Sequence, residues 1–201
     1  MKKNESTKRM IIEKTTELIQ TNSNVTIKDI ADACYVNIAA VNYHFGSKDE
    51  LIELVLNTVV DHLKTNVAQE IAGFPNDAHP EVILEKLLEY VYAFALENIG
   101  VVRFFFLQKG NQHNASNLLV DSFFTDNDFT KVIFEKLSAS TGIKDKDALR
   151  ARYLVLFSSF AIPLFIQITQ QQTSKELQPL PFLMNDNFRD LYIRELLRII
   201  R

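Results

Sequence analysis

The sequence predicts an all-α chain of about nine helices, and three observations carry that prediction. Apolar residues recur at three- and four-residue spacing along nearly the whole chain. Only five Gly and five Pro occur in 201 residues, too few turn-formers for an all-β sandwich or barrel. No run of strict apolar–polar alternation long enough for a convincing strand appears. The balance of 47% hydrophobic and 23% charged residues is ordinary for a globular chain. A chain of this length buries roughly 70% of its unfolded surface, so its core needs no metal or disulfide.

The elements follow in order. Ile11, Ile12, Thr15, Leu18 and Ile19 line one face of a first helix, which Asn22-Ser23-Asn24 ends. Thr26, with Asp29 three residues later, gives a weak capping-box signal for a short helix over 27–34. Tyr35-Val36 interrupts, and Asn37 is placed to cap a helix over 38–44, which Gly46 can stop in the left-handed conformation. Ser47-Lys48-Asp49-Glu50 is an S-x-x-E capping box opening a long helix to about Ala72, with Leu51, Leu54, Val55, Val59, Leu63 and Val67 apolar. The stretch 73–80 breaks the chain. Val82, Ile83, Leu87, Leu88, Val91 and Phe94 mark the next helix, bounded by Asn98-Ile99-Gly100. The run 101–107 is apolar except for Arg103, and 109–116 reads as a polar loop. Phe123, Phe124, Phe129, Val132, Ile133 and Phe134 belong to one or two helices ending near Thr141-Gly142. A long helix spans 145–171, with Pro163 placed to kink it. Pro179 and Pro181 break the chain again. An amphipathic helix over 187–201 carries Phe188, Leu191, Tyr192, Leu196, Ile199 and Ile200.

Charge divides the chain. Residues 1–48 hold seven Lys/Arg against five Asp/Glu, a net +2, and residues 49–201 hold fifteen against twenty, a net −5. A mildly basic head on an acidic body is the polarity expected when only the head meets phosphate. The single cysteine, Cys34, excludes an intramolecular disulfide framework and a Cys-pair zinc site, and fits a reducing cytoplasm. Its position on the buried side of the second helix marks it as a packing residue. No targeting segment is apparent. Residues 153–174 carry no charged side chain, but Ser158, Ser159 and Pro163 interrupt them and Gln170-Gln171-Gln172 closes them. A buried or subunit-interface helix is the expectation there, not a membrane span.

No nucleophile elbow, P-loop, dinucleotide-binding glycine pattern or paired catalytic carboxylates occur, so neither an enzyme nor a cofactor is expected. Ser158-Ser159 reads as helix packing. His44, His62, His79 and His113 are scattered without metal-ligand spacing, so no metal site is expected.

The informative segment is the pair of short helices joined by a three-residue turn, the spacing of a helix-turn-helix. Its second helix needs one side to pack and one side to enter a major groove. Ile38, Val41 and Phe45 fall at i, i+3 and i+7, with Val41 and Phe45 on the packing side. Ala39 and Ala40 are small enough to let the axis approach base edges, and Asn42 can pair with adenine. Tyr43 and His44 offer donors to phosphate oxygens. Thr26, Asn37 and Lys48 stand at helix starts, where backbone N–H groups also favour phosphate.

The run VTIKDIADACYVNIAAVNYHFGSKDEL over 25–51 resembles the TetR/AcrR-type transcriptional regulators. The resemblance rests on Thr26, Asp29-Ile30-Ala31, Val36, Tyr43-His44-Phe45, Ser47-Lys48 and Leu51, and covers about residues 8–55. Two positions depart from the pattern: Tyr35 stands where the family usually has Gly in the turn, and Asn42 where it often has Tyr. The resemblance implies a DNA-binding domain at 1–47 and a helical effector-binding and dimerisation domain at 48–201. It implies a cytoplasmic homodimer on a double-stranded DNA operator, paired through the helices near 145–171 and 187–201, most simply a repressor released by a small effector. Phe94, Phe104, Phe105, Phe124, Phe134, Tyr153, Phe157 and Phe160 are candidates to line an apolar cavity, though an aromatic at helical spacing more often fills the core. Arg103 is either an anchor for an acidic ligand or, more simply, half of an exposed salt bridge. Three consecutive Phe at 104–106 must point in different directions, so one should face outward. The competing reading is an all-α small-molecule sensor or carrier whose head no longer reads DNA.

Overall fold

The computed structural model describes residues 2–22, 24–107, 112–172 and 185–199. Among these, ten helices and no strand occur: α1 (Lys2–Thr21), α2 (Ile27–Ala33), α3 (Ile38–Phe45), α4 (Lys48–Gly73), α5 (Pro80–Glu97), α6 (Ile99–Leu107), α7 (Gln112–Phe123), α8 (Asp128–Thr141), α9 (Lys146–Gln172) and α10 (Asp186–Ile199). The all-α expectation holds, with one more helix than periodicity suggests. The difference lies in α7, whose first turn takes in residues 112–116 of the expected polar loop. Gln, His, Asn and Ser there carry no apolar stripe, so the spacing signal begins only at Leu118 and Leu119. Residues 109–111 of that loop, the break at Pro179 and Pro181, and the end of the last helix at Ile200 and Arg201 lie outside the described residues.

The helices gather into two compact units. The first comprises Met1–His62 and Asn98–Leu119. Its core is built from Ile11 and Ile19 of α1, Ile30, Ala31 and Cys34 at α2, Val41 and Phe45 of α3, Leu51, Ile52, Val55 and Leu56 of α4, and Val101 and Phe104 of α6. A segment distant in sequence thus completes the core under the helix-turn-helix. Leu51, Val55, Ile11 and Ile19 are fully buried, each contributing roughly 1.5–3 kcal/mol relative to exposure.

The second unit comprises Leu63–Glu97 and Val120–Arg201. There α5 packs against α8, α9 and α10, and α8 against α9. Of the apolar residues that mark α5 in the sequence, Ile83, Leu87, Leu88 and Phe94 are buried and are joined by Leu84 and Tyr92, whereas Val82 is exposed and Val91 half-buried. Asn127 caps α8 by accepting from the Thr130 amide, and Gly142 ends it at φ 72°, ψ −1°, the left-handed cap that glycine adopts without strain. Along α9, Leu149, Tyr153, Leu156, Phe160, Leu164 and Ile168 form one buried stripe. By length and composition alone, Lys146–Thr169 is apolar enough to cross a membrane, yet this stripe sits in the unit's own core.

Candidate nucleic-acid interface

Local hydrogen bonding explains why α2 and α3 form. Thr26 accepts from the Asp29 amide through Oγ1 at 3.1 Å, and the Asp29 carboxylate accepts from the Thr26 amide at 2.8 Å. The reciprocal box that the sequence only weakly suggests is therefore complete. The Thr26 hydroxyl also donates to Asp29 at 2.7 Å, and these bonds hold the Asp29 carboxyl below its ordinary range. Asn37 caps α3, its Oδ1 accepting from the Ala40 amide at 2.7 Å. Gly46 follows α3 at φ 76° and ψ −68°, with its amide donating to the Asn42 carbonyl at 2.8 Å. Its φ is positive as expected, but its ψ departs from the left-handed helical value. At the start of α4, Ser47 accepts from the Glu50 amide and donates its hydroxyl to the Glu50 carboxylate, both at 3.2 Å. The Ser47 amide turns to the Phe45 carbonyl instead, so this box is closed through the hydroxyl.

Between α2 and α3 the chain turns through Tyr35, the one non-glycine residue at positive φ among those described, at 54°. Its amide donates to the Asp32 carbonyl at 3.2 Å, and that of Val36 to Ala31 at 3.0 Å. An L-residue in this region costs roughly 1–2 kcal/mol. The sequence departure at this position is thus a conformational one as well: the turn keeps the glycine-type backbone and places a tyrosine on it.

The two sides of α3 separate as its spacing predicts. Val41 and Phe45 are buried against the core, with the Lys8 ammonium 5.8 Å from the Phe45 ring centre. Asn37, Ile38, Ala39, Asn42 and Tyr43 are exposed, and Ala40 is half-buried. Tyr43 stands out into solvent, its ring edge-on to His44 at 5.3 Å, and His44 lies half-buried against Phe45 at 6.1 Å. Lys48 opens α4 with its ammonium 3.8 Å from the Asp49 carboxylate. One unit therefore carries Thr26, Asn37 and Lys48 at three helix starts and the open side of α3. Cys34 is buried, and that burial pushes its thiol pKa upward, as befits a packing residue.

The candidate pocket residues do not form one group. Phe124, Phe134, Tyr153 and Phe157 come together in the second unit: Phe124 and Phe157 meet edge-on at 4.6 Å, and Phe134 and Tyr153 at 5.2 Å. Phe123 and Phe129, read from sequence only as helix positions, join them, with Phe123 5.8 Å from Phe157 and 5.7 Å from Phe129. Burial pushes the Tyr153 phenol pKa well up, so its hydroxyl stays protonated. Phe94 pairs instead with Tyr90, and Phe160 with Tyr92. Phe104 lies in the core of the first unit, with Phe105 packed half-buried against it, while Phe106 faces outward as three successive Phe require. Arg103 corrects the simpler expectation: it is 7% exposed, forms no salt bridge among the described residues, and donates to the Ile19 carbonyl at 2.8 Å. No group of three or more potential metal ligands occurs among the described residues. Ser158 and Ser159 both donate to the Val155 carbonyl of their own helix, with Ser158 exposed and Ser159 half-buried.

Residues 11–55 match the family described as bacterial regulatory proteins, tetR family. No curated protein matches the chain at a significant level. Among solved structures, a transcriptional regulator from Rhodococcus sp. Rha1 superposes at a TM-score of 0.67 with 17% identity, over 98% of this chain and 95% of the other. A candidate TetR-family transcriptional regulator from Mesorhizobium loti MAFF303099 gives 0.60 and 16%, over 98% and 97%. RolR in complex with its ligand resorcinol gives 0.56 and 16%, over 98% and 89%. These likenesses are of fold. The head that folds around Thr26, Asn37 and Tyr43 matches the tetR-family model, and the chain as a whole has the fold of solved structures described as transcriptional regulators of that type.

Proposed function

We propose that the protein is a dimeric, ligand-responsive DNA-binding repressor. The observation that carries this reading is the divided surface of α3: Val41 and Phe45 anchor the helix, while Ile38, Ala39, Asn42 and Tyr43 are left open. Small residues let the helix axis approach base edges, and Asn42 can pair with adenine. Tyr43, His44 and Lys48 supply donors for phosphate oxygens, which set orientation without reading sequence. Two heads would enter successive major grooves about 34–36 Å apart on a palindromic site. The working place of such a protein is the cytoplasm, beside the DNA.

Dimerisation rests on α9 and α10. Opposite its buried stripe, α9 carries Leu154, Val155, Ile162 and Phe165 on one exposed side, and α10 exposes Leu191 and Ile199. A helix apolar on both sides is normally covered on both, and a second copy of the same unit supplies that cover. For the effector, the aromatic group of Phe124, Phe134, Tyr153 and Phe157 favours a small, largely apolar molecule, with the Tyr153 hydroxyl as a polar contact. The resorcinol bound by RolR, a structural relative, is consistent with that class. A coupling free energy of roughly 1–3 kcal/mol between the sites would weaken operator binding about 5–150-fold.

The test is fluorescence anisotropy of the full chain with duplexes covering the DNA on either side of its own gene. Tight binding to one such duplex, falling steeply with added salt as counterions are released, supports the reading. A chain that binds no duplex at any salt concentration, yet shifts its melting temperature with small aromatic compounds, is the sensor without a DNA role.

A further inference from the structure

Tyr35 is the point where the free protein is worse off than it needs to be. Its φ of 54° lies where L-residues are strained and glycine is not. Its side chain is 97% exposed. Among the described residues the phenol forms no hydrogen bond and the ring stacks on nothing, so the fold gains no packing in return for the strain. A strained, solvent-facing aromatic is a reason to look for a bound partner that uses it.

The location says which partner. Tyr35 stands two residues before Asn37, the cap of α3, so their Cα atoms are no more than about 7.6 Å apart. In a helix-turn-helix the first helix crosses the sugar–phosphate backbone while the N-terminal end of the second enters the groove. The turn between them lies beside that backbone, outside the groove itself. A phenol suits this place: its ring lies against sugar and its neutral hydroxyl donates to phosphate.

We propose that Tyr35 is a DNA-contact residue of this head, its phenol hydroxyl donating to a backbone phosphate next to the recognition helix. The proposal rests on the DNA-binding reading given above. It adds a contact that fixes position on the duplex without selecting sequence, carried by the residue at which the head departs from the glycine of the TetR pattern. The departure is then an added handle on DNA.

The experiment compares wild-type protein with Tyr35→Phe and Tyr35→Gly, by anisotropy on the operator duplex and on an unrelated duplex, with thermal melts of each variant. Tyr35→Phe keeps the ring and the backbone strain and loses only the hydroxyl. It is expected to bind both duplexes at least about tenfold more weakly for each head engaged, the worth of a hydrogen bond to a charged acceptor. Its salt dependence should match wild type, because a phenol displaces no counterion. Tyr35→Gly removes the strain, so it should melt no lower than wild type while losing at least as much affinity. Unchanged binding by both variants, with Tyr35→Gly folded, overturns the proposal and leaves the DNA reading standing. A loss confined to the operator overturns the phosphate assignment. Wild-type protein that binds neither duplex overturns the DNA reading itself and this contact with it.

Discussion

Arg103 of α6 donates through Nη2 to the main-chain carbonyl of Ile19, 84 residues away, at 2.8 Å. The bond matters because α1 has no basic residue in its last turn to meet the partial negative charge of its carbonyl end. A guanidinium from α6 supplies it. Gly100 makes the approach possible: its amide donates to the Gln20 side chain at 2.9 Å, and a Cβ there would run into the Ile19 carbonyl oxygen and the Gln20 Cα. Gln20 completes the junction by donating to Asn98 at 3.3 Å. The buried cation is held by a helix end in place of a carboxylate.

Two substitutions test this junction. Arg103→Met keeps the aliphatic volume and removes the donor, leaving the α1 carbonyl end without its partner. The expected loss is about 1–3 kcal/mol of unfolding free energy by urea titration. Hydrogen exchange should accelerate first in the last turn of α1. Gly100→Ala forces backbone against backbone and should cost a similar amount, about 1–3 kcal/mol, as overpacking does. Wild-type stability in both variants would show that the junction contributes nothing.

The capping box of α2 has a pH signature. Hydrogen bonds from the Thr26 hydroxyl and amide lower the Asp29 pKa below its ordinary 3.8. A carboxyl whose folded pKa is depressed stabilises fully above its unfolded pKa and loses that contribution as pH falls through the folded one. Wild type should therefore be more stable than Asp29→Ala at neutral pH, and the gap should close as pH falls below 3.8. Thr26→Ala removes the cap itself and should cost about 1 kcal/mol. Paired denaturant titrations across the acid range read both effects; a gap that stays constant with pH would detach it from the carboxylate.

The exposed side of α9 makes an oligomerisation prediction. Ile162 is 64% exposed on a helix whose opposite side is core. Ile162→Asp places a charge where the partner copy would desolvate it without a counterion. Sedimentation velocity should show the wild type as a dimer and the variant as a folded monomer with unchanged helicity. If the two sediment alike, α9 is not the interface.

What the sequence discloses, and what it hides, follows from how local each signal is. Thr26, Asn37 and the Val41–Phe45 spacing act over three or four residues, so they announce α2, α3 and the side of α3 that packs. Tyr35 is legible as an odd residue in the turn, while its positive φ is a property of the folded backbone. The burial of Arg103 is hidden from the sequence because the partner that makes it tolerable is a carbonyl, and a carbonyl end of α1 has no residue letter. The aromatic residues illustrate the same limit. Phe104 and Phe124 have equal claims by composition, yet Phe104 closes the core beneath the head while Phe124 meets Phe157 and Tyr153 in the other unit. Helical spacing assigns a side of a helix, and long-range packing decides what that side meets.

The head makes the last prediction, in which two residues act on DNA in measurably different ways. Lys48 carries a formal charge at the start of α4, and a lysine that neutralises one phosphate releases about one counterion. Lys48→Ala should weaken operator and unrelated duplexes alike and reduce the magnitude of the slope of log affinity against log salt by about one for each head. Tyr43→Ala removes a neutral, 78% exposed side chain from α3. It should weaken binding while leaving the salt slope in place, since no charge is lost. Anisotropy titrations at several salt concentrations separate the two behaviours. A Lys48→Ala variant that retains the full slope would mean its ammonium remains with Asp49, 3.8 Å away, instead of meeting phosphate.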